Sequence, residues 1–257
     1  MTMLRSRIIP CLLLHKGGLV KTRQFKDPKY VGDPLNAVKI FNEKEVDELI
    51  FLDIDATAEV RGPQMSLLRS LAIESRMPLC YGGGVTSAEQ ATRIVATGFE
   101  KVSVSAAALA RPSLIKEMSE AIGAQSVVVT IDVKANRLFS GYAIHTHNGR
   151  QKHKQPLLEF CQQALSLGAG EIVINSIDRD GLMEGYDLDL ARQVRGSIDS
   201  PMTMLGGAGS TAHMQSLIEA VGIVGAAAGS MFVFKGPYRA VLISYSRPER
   251  LTGYTRS

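Results

Sequence analysis

The chain has 257 residues, of which 45% are hydrophobic and 21% are charged, and its formal net charge at pH 7 is +4. So mild a charge gives no argument for a nucleic-acid partner, and the two most basic segments, 145–154 and 247–257, are interpreted as solvated loops. No apolar run approaches the ~20 residues of a membrane-spanning helix, and the N-terminus has no signal-peptide pattern. The three cysteines lack metal-ligand spacing. We therefore expect a cytoplasmic protein with no metal, no cofactor, and no membrane or nucleic-acid partner.

Strand-like apolar runs alternate with helix-like segments along the whole chain. In the first half, strands are predicted over 7–14, 48–54, 78–81 and 101–105. Helices are predicted over 34–46, 63–74, 87–97 and 112–122, and a long loop over 16–33. In the second half, strands are predicted over 126–133, 171–175, 202–205 and 223–228. Helices are predicted over 156–167 and 187–195 and after each of the last two strands, and a loop with a hairpin pattern over 137–150.

Eight strand–helix units with continuously apolar strands indicate a parallel sheet covered by helices. In a chain of this length, they favour a single domain of the α/β class, a closed (β/α)8 TIM barrel. A doubly wound open sheet is the alternative. Matching residues in the two halves, such as Gly82 with Gly206 and Ser105 with Ser230, lie about 125 residues apart. The chain is therefore predicted to contain two half-barrel repeats, about 1–123 and 124–257, which favours closure.

Two glycine-rich loops, 82–84 and 206–209, follow strands at matching places in the two halves. Glycine lets the backbone approach a ligand closely, and the helix that follows each loop presents a partial positive charge suited to phosphate. Small hydroxyl residues, Ser105 and Ser230, follow the next strand in each half. Because the C-terminal ends of barrel strands form one mouth, we predict a substrate with a phosphate at each end. The alternative, that the glycines only form tight turns, is weakened by their recurrence.

Asp132 ends an otherwise apolar strand, so burial is expected to raise its pKa and suit it to proton transfer. A structural carboxylate bonded to loop N–H groups is the alternative. The half-repeat places Leu13 at the equivalent position of the first half. The sequence therefore offers one carboxylate where a paired acid and base would need two.

Charged residues of alternating sign stand at the starts of four predicted strands. They are Arg7, Glu48, Lys101 and Glu171. All four are expected at the N-terminal end of the barrel, where they could form a ring of ion pairs. On composition alone, ordinary flanking charges are the simpler interpretation, because exposed ion pairs contribute only ~0–1 kcal/mol.

Several motifs occur in a characteristic order along the chain. They are RIIPCL from Arg7, GDP from Gly32, DELIFLDI from Asp47, GGG from Gly82, DVK from Asp132, GAGEI from Gly168, DRDG from Asp178, GYD from Gly185 and GGAG from Gly206. In this order and spacing they resemble the cyclase subunit of imidazole glycerol phosphate synthase. The resemblance runs nearly end to end.

The resemblance implies a barrel whose N-terminal face docks a glutaminase subunit. Ammonia from the glutaminase would cross the barrel and attack a bis-phosphorylated ribulosyl aminoimidazole carboxamide nucleotide, giving imidazole glycerol phosphate and a purine precursor. Asp132 would be catalytic, and Lys21 matches a lysine on a mobile loop. The candidate phosphate- or substrate-binding residues are Lys21, Gly84, Ser105, Asn175, Asp180, Gly181, Gly207, Gly229 and Ser230. The family's ammonia gate matches Arg7, Glu48, Lys101 and Glu171.

The chain departs from the family at specific positions. The first catalytic aspartate falls at Leu13, Ser105 replaces an asparagine, and Asp55 replaces a threonine. Leu182 and Met183 stand where the family has a polar Thr-Lys pair. Losing a proton-transfer group commonly removes ~10²–10⁴-fold in rate.

This pattern resembles a paralogous group associated with surface-polysaccharide genes and acetamidino modification of sugars, whose members work with a glutaminase and a sugar amidotransferase. The first hypothesis is therefore a barrel that supplies ammonia for amidation of a sugar, with cyclisation weakened. A working histidine-biosynthesis cyclase that uses Asp132 with another acid is the second. A non-catalytic scaffold that activates a glutaminase is the third.

Overall fold

The computed structural model describes residues 5–136, 141–236 and 238–245. Arg137, at the start of the predicted hairpin loop, and the basic segment 247–257 lie outside the described residues. The first half contains strands β1 (Arg7–His15), β2 (Gly18–Arg23), β3 (Lys26–Gly32), β4 (Leu49–Asp53), β5 (Leu79–Gly82) and β6 (Lys101–Val104). Its helices are α1 (Pro34–Glu43), α2 (Met65–Glu74), α3 (Ala88–Ala96), α4 (Ala106–Ala110) and α5 (Ser113–Ile122).

The second half begins with a 3-10 turn, Ala124–Ser126. Its strands are β7 (Val127–Ala135), β8 (Tyr142–Thr146), β9 (Gln151–Pro156), β10 (Glu171–Ser176), β11 (Met202–Leu205), β12 (Gly225–Ala228), β13 (Phe234–Lys235) and β14 (Ala240–Val241). Its helices are α6 (Leu157–Ser166), α7 (Leu188–Ser197), α8 (Thr211–Val221) and α9 (Ser230–Val233). No helix within the described ranges is long and apolar enough to cross a membrane.

Eight parallel strands close into a barrel in the order β1-β4-β5-β6-β7-β10-β11-β12. Closure is made by β12, which pairs in parallel with β1 from Arg7 opposite Gly225 to Pro10 opposite Ala228. The predicted (β/α)8 barrel is confirmed, and the open-sheet alternative is excluded. The division into two half-barrel repeats stays a prediction.

The helices cover the outside of the barrel because they bury their apolar faces against it, and α1, α3, α7 and α8 begin at a residue whose side chain caps the helix. Asp33 caps α1 by accepting the Asn36 N–H at 2.9 Å, and Pro34 follows it at the first helical position. Ser87, Asp187 and Ser210 cap α3, α7 and α8 in the same way. The main core lies between these helices and the outer face of the strands.

The prediction of a long loop over 16–33 is wrong, because β2 and β3 form a hairpin ribbon there. Lys16 and Gly17 join β1 to β2 with φ values of 48° and 79°, the conformation of a two-residue type I′ turn. Val20 then pairs with Leu13 in antiparallel register. The many glycines and lysines hid this short buried strand. A hairpin is present near the predicted range 137–150, but only β8 lies inside it: β8 pairs in antiparallel register with β9, which begins at Gln151, after the predicted end.

Candidate functional site

A cavity of about 790 Å³ opens at the C-terminal ends of the barrel strands. Side chains or backbone from all eight barrel strands, or from the loops that follow them, line it. The ten residues predicted to be catalytic or ligand-binding all contribute to this lining: Lys21, Gly84, Ser105, Asp132, Asn175, Asp180, Gly181, Gly207, Gly229 and Ser230. The fold therefore brings the whole predicted set into one place. Their roles stay predictions.

Asp132 lies in the mouth beside Asn175, whose side-chain N–H donates to Oδ1 of Asp132 at 2.9 Å. Burial raises the pKa of Asp132 to about 7; the Asn175 bond opposes the rise, and the nearby Asp180 carboxylate adds to it. At neutral pH the carboxyl group therefore exists in both protonation states, as a general acid or base requires. Oδ1 of Asn175 is buried and has no hydrogen-bond partner among the described residues, which leaves an acceptor for a donor group of a ligand.

Lys21 lies on β2 rather than on a loop, which corrects the expectation of a mobile-loop lysine. It is buried, and its ammonium group donates to the Cys11 carbonyl and packs against Gly229. Burial lowers the pKa of Lys21, and the Cys11 thiol and the Asp180 carboxylate oppose this shift. The structure thus fixes the amino group of Lys21 at the wall of the mouth.

Asp180 holds the tip of the hairpin ribbon against the mouth. Its Oδ2 accepts the Thr22 hydroxyl at 2.6 Å and the Phe25 N–H at 3.1 Å, and its carbonyl accepts the Gln24 N–H at 3.0 Å. Burial raises the pKa of Asp180, while the bonds from Thr22 and Phe25 oppose the rise. Gln24 and Phe25 both have positive φ, a conformation that costs non-glycine residues energy and that these bonds stabilise. Asp180 therefore positions the ribbon that carries Lys21.

The glycine loop after β11 requires glycine for both conformation and space. Gly206 and Gly207 have φ values of 99° and 103°. A Cβ at Gly207 would collide with the Gly185 carbonyl, and the Gly207 carbonyl accepts the Gly185 N–H at 2.8 Å. The Gly209 N–H already donates to His213 Nδ1 at 3.1 Å. The Gly209 N–H is therefore not free to bind a ligand, and a ligand at this loop would accept hydrogen bonds from other backbone N–H groups of the loop.

Gly207→Ala is expected to lower the free energy of unfolding by about 2 kcal/mol or more, because alanine disfavours this φ and its methyl group would displace the backbone of the loop at Gly185. Gly196→Ala is the matched control, since Gly196 lies in α7 with open space around it. The control should leave the protein as stable as the wild type or slightly more stable. Urea denaturation of the three proteins measures both effects. Equal stability of Gly207→Ala and wild type would contradict this account of the loop.

Two pairs at the mouth were missed by sequence reasoning. Arg61 donates to both carboxylate oxygens of Asp53, at 2.8 and 2.9 Å. His15 Nδ1 lies 2.7 Å from Asp55 Oδ1. Asp53 and Asp55 were visible as carboxylates at a strand end, but their partners come from a later loop and from another strand. No spacing in the sequence predicts either pair.

The four charges predicted at the strand starts form a closed ring at the N-terminal end of the barrel. Arg7 donates to Glu48 and, at 2.5 Å, to Glu171. Lys101 donates to Glu48 at 2.9 and 3.0 Å and to Glu171 at 2.9 Å. The side chains of Glu48 and Glu171 are only 5–6% exposed. The interpretation as ordinary flanking charges is therefore wrong, because the four groups contact one another. Composition alone could not show that closure of the barrel brings them together.

The ring controls the ionisation of its own members. Burial disfavours the charged form of Glu171, but Arg7 and Lys101 outweigh it and lower its pKa to about 2. Burial likewise opposes protonation of Lys101, yet Glu171 and Glu48 raise its pKa. Thr203 adds a hydroxyl that donates to Glu171 at 2.5 Å. Arg7, Lys101 and Glu171 therefore stay charged at neutral pH.

Between the ring and the mouth, the inside of the barrel is lined by small and apolar side chains. They are Ile9, Cys11, Ile50, Cys80, Val128, Val173, Leu205 and Ala227, with Leu13 and Leu52 at the mouth side. Ser103 and Thr130 satisfy each other there through a 2.7 Å hydrogen bond. A charged ring, an apolar interior and a polar mouth thus follow one another along the barrel axis.

Comparisons with known proteins agree with these features. The family model described as "Histidine biosynthesis protein" matches residues 7–238. A "Putative imidazole glycerol phosphate synthase subunit HisF" from Leptospira borgpetersenii is 51% identical, over 95% of this chain and 96% of the relative. The "subunit hisF3" relative from Vibrio vulnificus is 52% identical, over 96% of this chain and 95% of the relative. The "Imidazole glycerol phosphate synthase subunit HisF" of Lysinibacillus sphaericus is 38% identical, over 95% and 97%. The chain therefore belongs to the family of HisF-like subunits of imidazole glycerol phosphate synthase.

Proposed function

We propose that this chain is the barrel subunit of a glutamine-dependent complex. A glutaminase subunit docks at the N-terminal face and releases ammonia at the ring of Arg7, Glu48, Lys101 and Glu171. Ammonia crosses the apolar interior and reaches a phosphorylated ligand in the mouth. The observation that carries the proposal is the closed, buried ring, because its cost in desolvation is hard to explain by stability alone.

The ligand is bound by the glycine loops and by the fixed cation. Gly84 and Gly207 each have positive φ at the cavity wall, with Ser105 and Ser230 beside the next strand ends. Lys21 supplies a buried positive charge that attracts a phosphate group of the ligand. The same charge would stabilise negative charge that develops on the ligand in the transition state. Two such sites in one mouth suit a ligand that is phosphorylated at both ends.

Cyclisation is weakened because the mouth has one proton-transfer carboxyl group, that of Asp132, where an acid–base pair needs two. The second position is occupied by Leu13. β1 and β7 are separated by three strands in either direction around the barrel, so Leu13 lies across the mouth from Asp132. Leucine can neither accept nor donate a proton. The loss of one such group fits a rate reduction of ~10²–10⁴-fold.

The delivered ammonia then serves amidation of a surface-polysaccharide sugar, with a sugar amidotransferase as the further partner. The four relatives at 48–52% identity all have names that begin with "Putative", and two of these names are numbered, hisF2 and hisF3. The relatives at 38–40% identity carry the subunit name without that word and without a number. The numbered names support a second copy of the subunit beside the ordinary one. A second copy is free to lose cyclisation and keep ammonia delivery.

The proposal is tested by supplying the purified chain with ammonium and the ribulosyl nucleotide, and by complementation of a histidine auxotroph that lacks its cyclase subunit. We expect slow turnover and no complementation. Turnover at ordinary family rates with full complementation would instead identify a working histidine-biosynthesis cyclase. A scaffold without ligand would show no rise in melting temperature with ribulose 1,5-bisphosphate, a probe with a phosphate at each end.

Lys101→Ala is expected to reduce glutamine-dependent product relative to ammonium-dependent product by about tenfold, the effect of ~1.4 kcal/mol on a barrier. The substitution leaves Glu48 and Glu171 with Arg7 as their remaining ring cation and so disorders the entrance. Lys116→Ala, at an exposed position of α5, is the matched control. The ratio of glutamine-dependent to ammonium-dependent product is measured with the glutaminase bound and with the substrate that accepts ammonia in excess. An unchanged ratio would refute a conducting role of the ring.

A further inference from the structure

The pair formed by His15 and Asp55 is a built site that the proposed function does not use. Asp55 Oδ1 lies 2.7 Å from His15 Nδ1, and Asp55 Oδ2 accepts the Lys16 N–H at 2.8 Å. Burial opposes ionisation of Asp55, but the bonds from Lys16 and His15 outweigh it and lower its pKa. The carboxylate therefore fixes the tautomer and the orientation of the imidazole, with Nδ1 as the donor.

The other ring nitrogen of His15 is available to a ligand. Nε2 has no hydrogen-bond partner among the residues that the structure describes, and His15 lines the mouth cavity. A neutral imidazole with Nδ1–H held by a carboxylate presents Nε2 as a base, the arrangement that general-base histidines use. The same cavity holds Asp132.

The position of His15 relates it to the missing carboxylate. Side chains alternate along a strand, so His15 and Leu13 point to the same side of β1. Two residues correspond to about 6.6 Å along the strand, and His15 lies that much closer to the rim than Leu13. Because β1 is opposite β7, His15 also stands across the mouth from Asp132.

We propose that His15 is a catalytic base at the rim of the mouth and that Asp55 is its positioning residue. Together they replace the proton-transfer group absent at Leu13, in the addition of ammonia to a phosphorylated sugar that carries a carbonyl group. The inference rests on the proposed function, since ammonia is the nucleophile. It adds a position for the reacting carbon. That carbon lies about two residues of β1, roughly 6.6 Å, closer to the rim of the mouth than a carbon served by a carboxylate at position 13.

The reaction balances as one cycle of proton transfers in which each of the two groups reaches both the nitrogen and the oxygen on the reacting carbon. The ammonia lone pair forms the C–N bond, the π pair of C=O moves to oxygen, and oxygen takes the proton of Asp132. The ammonium nitrogen then gives a proton to Nε2 of His15, which leaves a neutral carbinolamine. Loss of water follows: the nitrogen lone pair forms C=N, the C–O bond breaks, and the leaving oxygen takes the proton from His15. The iminium gives its extra proton to Asp132, and both groups are restored.

The test uses the full chain with ribulose 5-phosphate and ammonium chloride, and cyanoborohydride traps the imine as an amine that mass spectrometry quantifies. The wild type is expected to exceed the buffer rate. His15→Asn, which keeps a donor for Asp55 but has no base, should lower the rate by about 10²-fold or to the buffer rate. Imidazole added to His15→Ala should restore part of the rate. His153→Asn, at a position outside the cavity, is the matched control and should match the wild type.

Asp55 is tested by two variants of different charge. Asp55→Asn should slow the trapped reaction by more than a small loss of melting temperature explains, since its amide oxygen can still accept the Lys16 N–H. Asp55→Glu should recover part of the rate. The inference is overturned if His15→Asn matches the wild type, if imidazole rescues nothing, or if the wild type does not exceed the buffer rate. None of these results touches ammonia delivery, which the Lys101→Ala ratio decides separately.

Discussion

Leu13→Asp is expected to raise ammonium-dependent cyclase turnover of the ribulosyl nucleotide by about 10²-fold, within the range that one proton-transfer group contributes. Leu13 lines the mouth on the strand opposite Asp132 and packs against the apolar interior from the mouth side. A carboxylate at this position restores a pair of acids facing each other. The phosphate-binding loops and Lys21 need no change, because they already line the same cavity.

A matched control separates this effect from the mere addition of negative charge. Leu52 is the register partner of Leu13 on β4 and also lines the mouth, so Leu52→Asp adds a carboxylate at the same level on the wrong strand. It should give no gain. Leu13→Asp combined with Asp132→Asn should lose the gain, since the pair is needed. An equal gain from Leu52→Asp, or none from Leu13→Asp in a protein that still folds, would show that Leu13 does not limit cyclisation.

Much of the barrel could be predicted because its strands are buried on both faces. The segment from Val127 to Val133 is largely apolar, and some of the runs are followed by a helix that begins at a capping residue, as at Ser87 or Ser210. The hairpin ribbon could not be predicted in this way. Its strand β2 pairs with β1 through a turn at Lys16 and Gly17 and is held by Asp180, which lies about 160 residues away in sequence.

The candidate site was predictable where a residue type at a strand end carries its own signal, and the family resemblance supplied further residues such as Lys21 and Asp180. Glycines after strands and the lone acid of β7 could be found by position. The charges alone could suggest a ring but could not decide whether it forms, because Arg7 and Glu171 are 164 residues apart and meet only when β12 closes onto β1. The pairing of His15 with Asp55 likewise depends on two neighbouring strands of the closed barrel. Long-range closure decides which charges become partners.

Glu171→Gln is expected to lower the free energy of unfolding at pH 7 by about 3 kcal/mol, as when one member of a buried ion pair is removed. The glutamine keeps the shape of Glu171, so no cavity confuses the result. Arg7 and Lys101 lose one of the two carboxylates that each contacts. Because the side chain is only 6% exposed, salt should screen the effect weakly. Glu120→Gln, at an exposed pair in α5, is the control and should change stability by less than about 1 kcal/mol.

The difference between wild type and Glu171→Gln should also depend on pH in a defined direction. Arg7 and Lys101 lower the pKa of folded Glu171 to about 2, from an ordinary value of 4.5. A carboxyl group whose pKa is lower in the folded state stabilises the fold fully above its unfolded pKa, and the contribution disappears as the pH falls towards the folded pKa. Urea denaturation should therefore give a constant difference above about pH 5.5 and a shrinking one between pH 4.5 and 2. A difference that stays constant down to pH 2.5 would mean that the charge of Glu171 does not stabilise the ring.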